Sequence, residues 1–220
     1  DFVGTRSAPI RISTAHDLQC FANAVNNCTH YKGFANIEGF SDVVFALGAN
    51  IHVPDSINWV PIGTELNPFC GLFNGEGLAI SNIMAERPFD KYVGLFGYST
   101  GGISKVVLVG GGIVGGDYTG SICGYTSGTV ESCLTAVTVR GHYYTGGVVG
   151  LSSGADIKDC IHVNSVSGDP SSVGAICGKA MGGFVKHCAF DIQICPGLAA
   201  VGSYEQTQIM YSEGYMTAEM

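Results

Sequence analysis

Charge is scarce in this chain, and long apolar runs are missing. Only 13% of its 220 residues are Asp, Glu, Lys or Arg, and ten bases stand against eighteen acids for a net charge of −8. With no basic run, nucleic acid is excluded as a partner, because phosphate recognition needs clustered cations. No uninterrupted apolar stretch reaches the roughly 18 residues of a membrane-spanning helix. No CxxC pair and no Cys/His cluster with zinc spacing occurs, so neither a metal nor any other cofactor is expected. A basic, apolar leader is missing ahead of Asp1, which suits an exported protein whose signal peptide has been removed. Cytosolic residence is the plainer alternative. Disorder is excluded by a hydrophobic content of 46%.

Glycine is what the chain has in excess. Its 33 glycines in 220 residues are roughly twice the usual share of about 7%. Each costs a helix interior about 1 kcal/mol, so a helical bundle is ruled out. Collagen is ruled out too, since no Gly-X-Y period exists.

The glycines mark an internal repeat. Val93-Gly94-Leu95-Phe96-Gly97 is followed by Gly120-Ser121-Ile122-Cys123-Gly124, Gly146-Gly147-Val148-Val149-Gly150 and Gly174-Ala175-Ile176-Cys177-Gly178. The closing glycines lie 27, 26 and 28 residues apart. After a glycine turn, each copy continues into a second apolar segment: Ile103 to Val106, Val130 to Cys133, Ile157 to Cys160, Val185 to Cys188. A divergent earlier copy runs from Phe69 to Gly77 and on to Ile83. Short β-rich runs at this period predict an all-β fold, a parallel β-solenoid or β-helix of about five short rungs. Rungs about 4.8 Å apart give a body roughly 20–25 Å long.

Stacking turns equivalent positions into rows. Leu95, Ile122, Val148 and Ile176 are aliphatic and are expected inside, as are Val106, Cys133, Cys160 and Cys188, small side chains filling a tight core. The row Phe96, Cys123, Val149, Cys177 is expected on the opposite face of its strand, under some cover from the N-terminal segment or a neighbouring subunit. One rung of separation falls inside the disulfide window of about 4.4–6.8 Å, so Cys133–Cys160 or Cys160–Cys188 bonds stay open. The cysteines number nine, an odd count that leaves at least one thiol free or paired between molecules. Cys20, Cys28, Cys70, Cys123, Cys177 and Cys195 are the candidate thiols for disulfides or links to another chain.

Residues 1–50 do not repeat and read as an N-terminal cap. Leu18, Phe21, Ala22 and Val25 fall at i, i+3, i+4 and i+7, one amphipathic helix capped by Ser13 or Thr14. Short strands are expected at Val43 to Phe45, His52-Val53 and Ile57 to Val60. The solenoid then spans 51–190, and 191–220 reads as an irregular C-terminal exit.

These motifs together resemble the GLUG-repeat proteins. The unit Val-Gly-Leu-Phe-Gly or Thr-Gly-Gly-Val-Val-Gly, followed by Ile-x-x-Cys, is similar to theirs, as are Thr14-Ala15-His16-Asp17-Leu18, Trp59-Val60-Pro61-Ile62-Gly63 and the turn Phe73-Asn74-Gly75-Glu76-Gly77. Cys188-Ala189-Phe190-Asp191 and Met216-Thr217-Ala218-Glu219-Met220 resemble the family's exit. The resemblance covers roughly residues 10–220. It implies a β-solenoid on exported prokaryotic surface proteins: adhesins, large envelope proteins and non-catalytic regions of surface proteases. It carries over no catalytic residue. The chain is small for this class.

Other motifs have plainer readings. Gly97-Tyr98-Ser99-Thr100-Gly101 and Gly150-Leu151-Ser152-Ser153-Gly154 match the G-x-S-x-G elbow, which requires a strand leading into a helix. Both recur in phase with the rungs, so they read as turns. Gly110 to Gly115 matches G-x-G-x-x-G and reads as a turn or bulge, with no βαβ unit around it. Asp156, Asp159 and Asp169 lack calcium-loop spacing. His16, His30, His52, His142, His162 and His187 share no row. Asn27-Cys28-Thr29 is a glycosylation sequon. Tyr118, Tyr143 and Tyr144 are candidate contacts for a glycan or protein.

The functional expectation is a non-catalytic structural subunit of an extracellular layer, sheath or fibre at the cell surface or envelope. It would self-associate as a homo-polymer by edge-to-edge, amyloid-like stacking, with disulfides as locks. The alternative is an adhesin module that binds a surface protein or glycan through its inter-rung loops. A solenoid enzyme or the accessory region of a surface protease ranks below both.

Overall fold

The computed structural model describes residues 3–216 and winds them into a parallel β-solenoid. Each copy of 26 to 28 residues completes one turn and places a strand in each of the three larger of four sheets. The copy that opens at Val93 supplies Phe96–Ser99, Gly102–Ser104 and Val107–Val114. Equivalent strands pair in register: Phe96 with Cys123, Val149, Cys177 and Val201, and Ile103 with Val130, Ile157, Val185 and Ile209. About six turns result rather than five.

The additional turn lies where an irregular exit was expected. Val201–Glu205, Gln208–Met210 and Glu213–Tyr215 each add a parallel strand to one of the sheets. The resemblance at 217–220 lies outside the described residues. At the other end Ile10–Ile12 already pairs with Val44–Leu47, inside the expected cap. Ile57 to Val60 forms no strand; its Trp59 is buried, and the indole Nε1 donates to the Leu95 carbonyl at 3.1 Å.

One helix, Ala15–Asn26, closes the N-terminal end. Thr14 caps it by accepting from the Asp17 amide, while Asp17 accepts from the Ser13 amide, a reciprocal pairing that satisfies two otherwise orphaned donors. Its apolar stripe of Leu18, Phe21, Ala22 and Val25 is fully buried. Phe21 is the plug, with its ring 4.4 Å from that of Phe45 and 5.7 Å from that of Phe69. Burying one such ring contributes about 3 kcal/mol, the aromatic contacts adding to it.

Two columns of left-handed residues turn the coil. Lys105, Ser132, Asp159 and His187 have φ of 53°, 55°, 53° and 52° and form the corner between two of the sheets. Each delivers the next residue, Val106, Cys133, Cys160 or Cys188, to the core. The thiols of Cys133, Cys160 and Cys188 donate to the carbonyl two residues back at 3.3, 3.2 and 3.4 Å, bridging the strained residue. Ser212 repeats this bond in the last turn. Ser132 is exposed, and left-handed backbone costs a non-glycine residue about 1 kcal/mol or more. Ser132→Gly is therefore expected to stabilise the chain by about 1 kcal/mol and Ser132→Val to destabilise it by a similar amount; thermal unfolding checks both signs.

The row Phe96, Cys123, Val149, Cys177 is inside, not on an outer face. Strand alternation fails because the backbone kinks just before it. The Val148 carbonyl accepts from both Ile122 and Cys123 amides, and that of Ile176 from both Val148 and Val149. Two successive side chains thereby point inward, and Phe96 packs 5.2 Å from the rings of both Phe69 and Phe73. What turns outward is the closing glycine of each copy, and the chain's own corner segments lie directly over it.

Candidate functional site

Those corner segments carry the aromatic residues. Tyr92, Tyr118 and Tyr144 occupy the second left-handed column, with φ of 60°, 62° and 56°. Their backbones bond from turn to turn, Tyr118 N to Tyr143 O and Thr119 N to Tyr144 O at 2.9 and 3.2 Å. Their rings consequently stack, at 4.8 Å for Tyr92–Tyr118 and 5.3 Å for Tyr118–Tyr144. A second column stands beside the first, where register places Tyr98 against Tyr125 with rings 4.1 Å apart. Lys179 closes the array with its ammonium over the Tyr144 ring at 5.5 Å.

Sequence reading singled out Tyr118, Tyr143 and Tyr144 but missed Tyr92, Tyr98 and Tyr125. The available signal was position within the copy, since Tyr98 and Tyr125 both follow a closing glycine. Burial pushes the Tyr92 and Tyr98 phenols up, with Glu65 nearby and, for Tyr98, a hydrogen bond to Tyr125. Most of these faces are spent on one another, so the array staples the turns together. Tyr143 is the exception: it is exposed, 4.0 Å from the His142 ring.

All nine cysteines are free thiols. Cys123 and Cys177, expected to face outward, are buried in the core and donate to the carbonyls of Tyr125 and Lys179. Neither is placed to reach another chain. Burial raises both, Cys177 to about 12. In the stacked row, the hydrogen bond with Cys133 and then burial raise Cys160, while that with Cys160 raises Cys188. Protonated thiols are poor nucleophiles, so these groups are inert. Cys195 is also buried, bonded to the Asn164 carbonyl. Of the candidate linking thiols, Cys28 is exposed, and Cys20 and Cys70 are half-buried.

The serines of the two G-x-S-x-G matches hold turns. Buried Ser99 donates to the Phe69 and Gly101 carbonyls, and Ser152 to that of Ala155. Thr126 does the same in the copy between them. All but the last glycine of the G-x-G-x-x-G match lies in the strand Val107–Val114, with Gly110 and Gly111 at positive φ opposite a register shift, which makes it a bulge. Asp156, Asp159 and Asp169 are not brought together: they bond to the Phe184 amide, His187 and Ser171 respectively. Among the described residues no cluster of His, Cys, Asp and Glu is arranged to hold a metal. Asn27 is exposed at the helix C-cap, its amide donating to Asn23.

The two ends of the solenoid differ. Helix Ala15–Asn26 covers one. At the other, Val201–Glu205, Gln208–Met210 and Glu213–Tyr215 are the terminal strands of their sheets. Ile209, in register with the buried Ile157 and Val185, is 38% exposed there, next to exposed Met210, Tyr211 and Tyr215. No helix among the described residues is long and apolar enough to cross a membrane.

No family model matches the chain. Among curated proteins it is similar to halomucin of Haloquadratum walsbyi, at 28% identity over 155 residues, which is 67% of this chain and 2% of that protein. It is also similar to a protein of Evansella cellulosilytica provisionally named a Gly-rich membrane protein, at 32% identity over 94 residues, 43% of this chain and 10% of that one. The chain thus spans only a small part of the length of either relative. Among solved structures it is similar to a Bacteroides ovatus protein provisionally titled an immunoglobulin A1 protease, with a TM-score of 0.72 at 21% identity, covering 96% of this chain and 68% of that one. That likeness is one of fold: both chains are β-solenoids.

Proposed function

We propose that the chain is a non-catalytic structural module of a cell-surface protein, of the GLUG-repeat kind, and that it extends by β-stacking through its C-terminal turn. The observation that carries this reading is the asymmetry of the ends. Among the described residues, one is sealed by a helix with its plug of phenylalanines, and the other ends on terminal strands around exposed core-register side chains. Such an edge is a template for a further strand. The similarity to halomucin and to a membrane protein supports the surface location. The non-catalytic reading is supported by the serines, whose hydroxyls are committed to backbone carbonyls.

With one sealed end, identical copies stack only tail to tail, so the contact closes as a two-fold pair instead of propagating as a fibre. A layer or sheath would need further contacts, for which Cys28 is the most exposed thiol. Light scattering coupled to size exclusion tests this on the 220-residue chain under reducing conditions. Dimers are expected to appear with rising concentration, and Ile209→Lys is expected to abolish them. A monomer at every concentration, or dimers indifferent to Ile209→Lys, overturns the stacking edge.

A further inference from the structure

The corner that bears the tyrosines also carries a groove that the structural role leaves unexplained. It measures about 510 Å³ and is lined by Phe89, Lys91, Asp117, Arg140 and His142 over a floor of glycine. Register explains the assembly. Glu86 pairs with Val114 and Val114 with Arg140, so Arg140 sits two turns from the segment that carries Phe89 and Lys91. Parallel turns put those levels roughly 10 Å apart, about the length of two linked sugar rings.

The charges in the groove are unbalanced in favour of an anion. Asp117 is engaged by His142 Nδ1 at 2.9 Å and by the Tyr143 amide at 3.3 Å. Nearby Arg87 is neutralised by Asp90 at 3.1 Å and also donates to the Trp59 carbonyl. Lys91 and Arg140 are exposed, and among the described residues neither has an ion-pair partner. In a chain with eighteen acids and ten bases, two such cations on one groove are a local exception to the field. At its rim, Phe89 holds its ring 96% exposed, a placement that burial does not explain.

A bare aromatic ring beside cations suits a ligand with an apolar face and an isolated negative charge. A pyranose has both when it bears an acid group: its C–H face lies on the ring while the acid reaches a cation. A nucleic acid is disfavoured by the net charge of −8, and an acidic peptide has no use for the ring. We propose that this groove binds an acidic sugar chain, with Phe89 stacking one ring and Lys91 and Arg140 taking the acid groups. The inference is independent of the stacking edge, which lies at the C-terminal turn.

Titration calorimetry at low salt, on the full chain with Ile209→Lys to exclude self-association, tests it. Oligogalacturonate and a sulfated oligogalactan of equal length are the probes, with neutral oligogalactose and a poly-glutamate peptide as comparisons. Binding of one or both acidic sugars is expected, and their ratio identifies carboxylate or sulfate as the preferred acid. Lys91→Ala and Arg140→Ala are each expected to weaken it about tenfold, as a charge-assisted bond is worth, and Phe89→Ala by a smaller factor. Lys105→Ala, an exposed cation outside the groove, is expected to have no effect. Equal binding of neutral oligogalactose or poly-glutamate, no binding of either acidic sugar, or affinity unchanged in the Lys91 and Arg140 variants overturns the proposal.

Discussion

A single methyl group at Gly124 is expected to lower the melting temperature of this chain by about 6–12 °C. Its backbone does not need glycine's special dihedral freedom, since Gly124 is not among the positive-φ residues. The requirement is for space. A Cβ there would lie 2.6 Å from both the Cα and the carbonyl carbon of Tyr92, and 2.7 Å from the Tyr118 carbonyl oxygen. These are backbone atoms of the corner segments, themselves held in the left-handed column and bonded to the next turn. They cannot rotate away as a side chain would. Relieving the clash means lifting the corner off the sheet, and overpacking against fixed backbone costs about 3 kcal/mol. In a domain of this size each kcal/mol moves the midpoint by about 2–4 °C. Gly154→Ala separates the two roles of glycine: φ there is +75° with nothing within 4 Å of the added Cβ, so only the dihedral cost of about 1 kcal/mol applies. Calorimetry of both variants should give the larger loss at Gly124. Equal losses would mean that the corner does not press on the sheet.

That contrast also shows why part of the architecture was legible in the sequence and part was not. The rungs were legible because stacking imposes one demand on each position, and the closing glycines repeat it at Gly97, Gly124, Gly150 and Gly178. The helix was legible for the same reason, its stripe obeying a period of 3.6 residues. The kink ahead of Phe96, Cys123, Val149 and Cys177 was not legible: two adjacent apolar residues read alike whether a strand is covered on both faces or bent so that both point inward. The last turn was masked by its spacing. Gly202 follows Gly178 by 24 residues, shorter than the other copies, although Ala199-Ala200-Val201-Gly202 matches the pattern of Ala175-Ile176-Cys177-Gly178. Of the site, only the aromatic residues in the corner could be suspected. Phe89, Lys91 and Arg140 are 51 residues apart at their extremes and become neighbours only through the register of the turns.

Below neutral pH the chain is expected to lose about 3 kcal/mol through one side chain, His162. Register places it in the core row between Thr135 and Phe190, and it is fully buried. Its Nδ1 lies 2.8 Å from the Thr135 hydroxyl, which in turn donates to the Ile161 carbonyl at 3.4 Å. The hydroxyl therefore accepts from Nδ1–H, and Nε2 carries the lone pair with no hydrogen-bond partner. The ring lies where a Cβ on Gly147 would stand, 2.6 Å from ring carbons, so there is no room to turn it toward water. Burial pulls the imidazole from 6.5 down to about 4, against a smaller opposing effect of the Asn164 carbonyl. A group harder to protonate when folded than when unfolded favours unfolding as acid is added. The contribution of His162 is complete above pH 6.5, fades as the pH falls toward 4, and is lost below it. A gap of about 2.5 pH units is worth about 3 kcal/mol. Replacing the ring by one that cannot titrate, His162→Phe, adds a packing cost of about 1–3 kcal/mol that is the same at every pH, while removing most of the decline between pH 6.5 and 4. Surface carboxylates titrate identically in both proteins, so the difference between the two curves isolates this residue. Denaturant unfolding across that range is the measurement, and parallel curves would show that the acid sensitivity resides elsewhere.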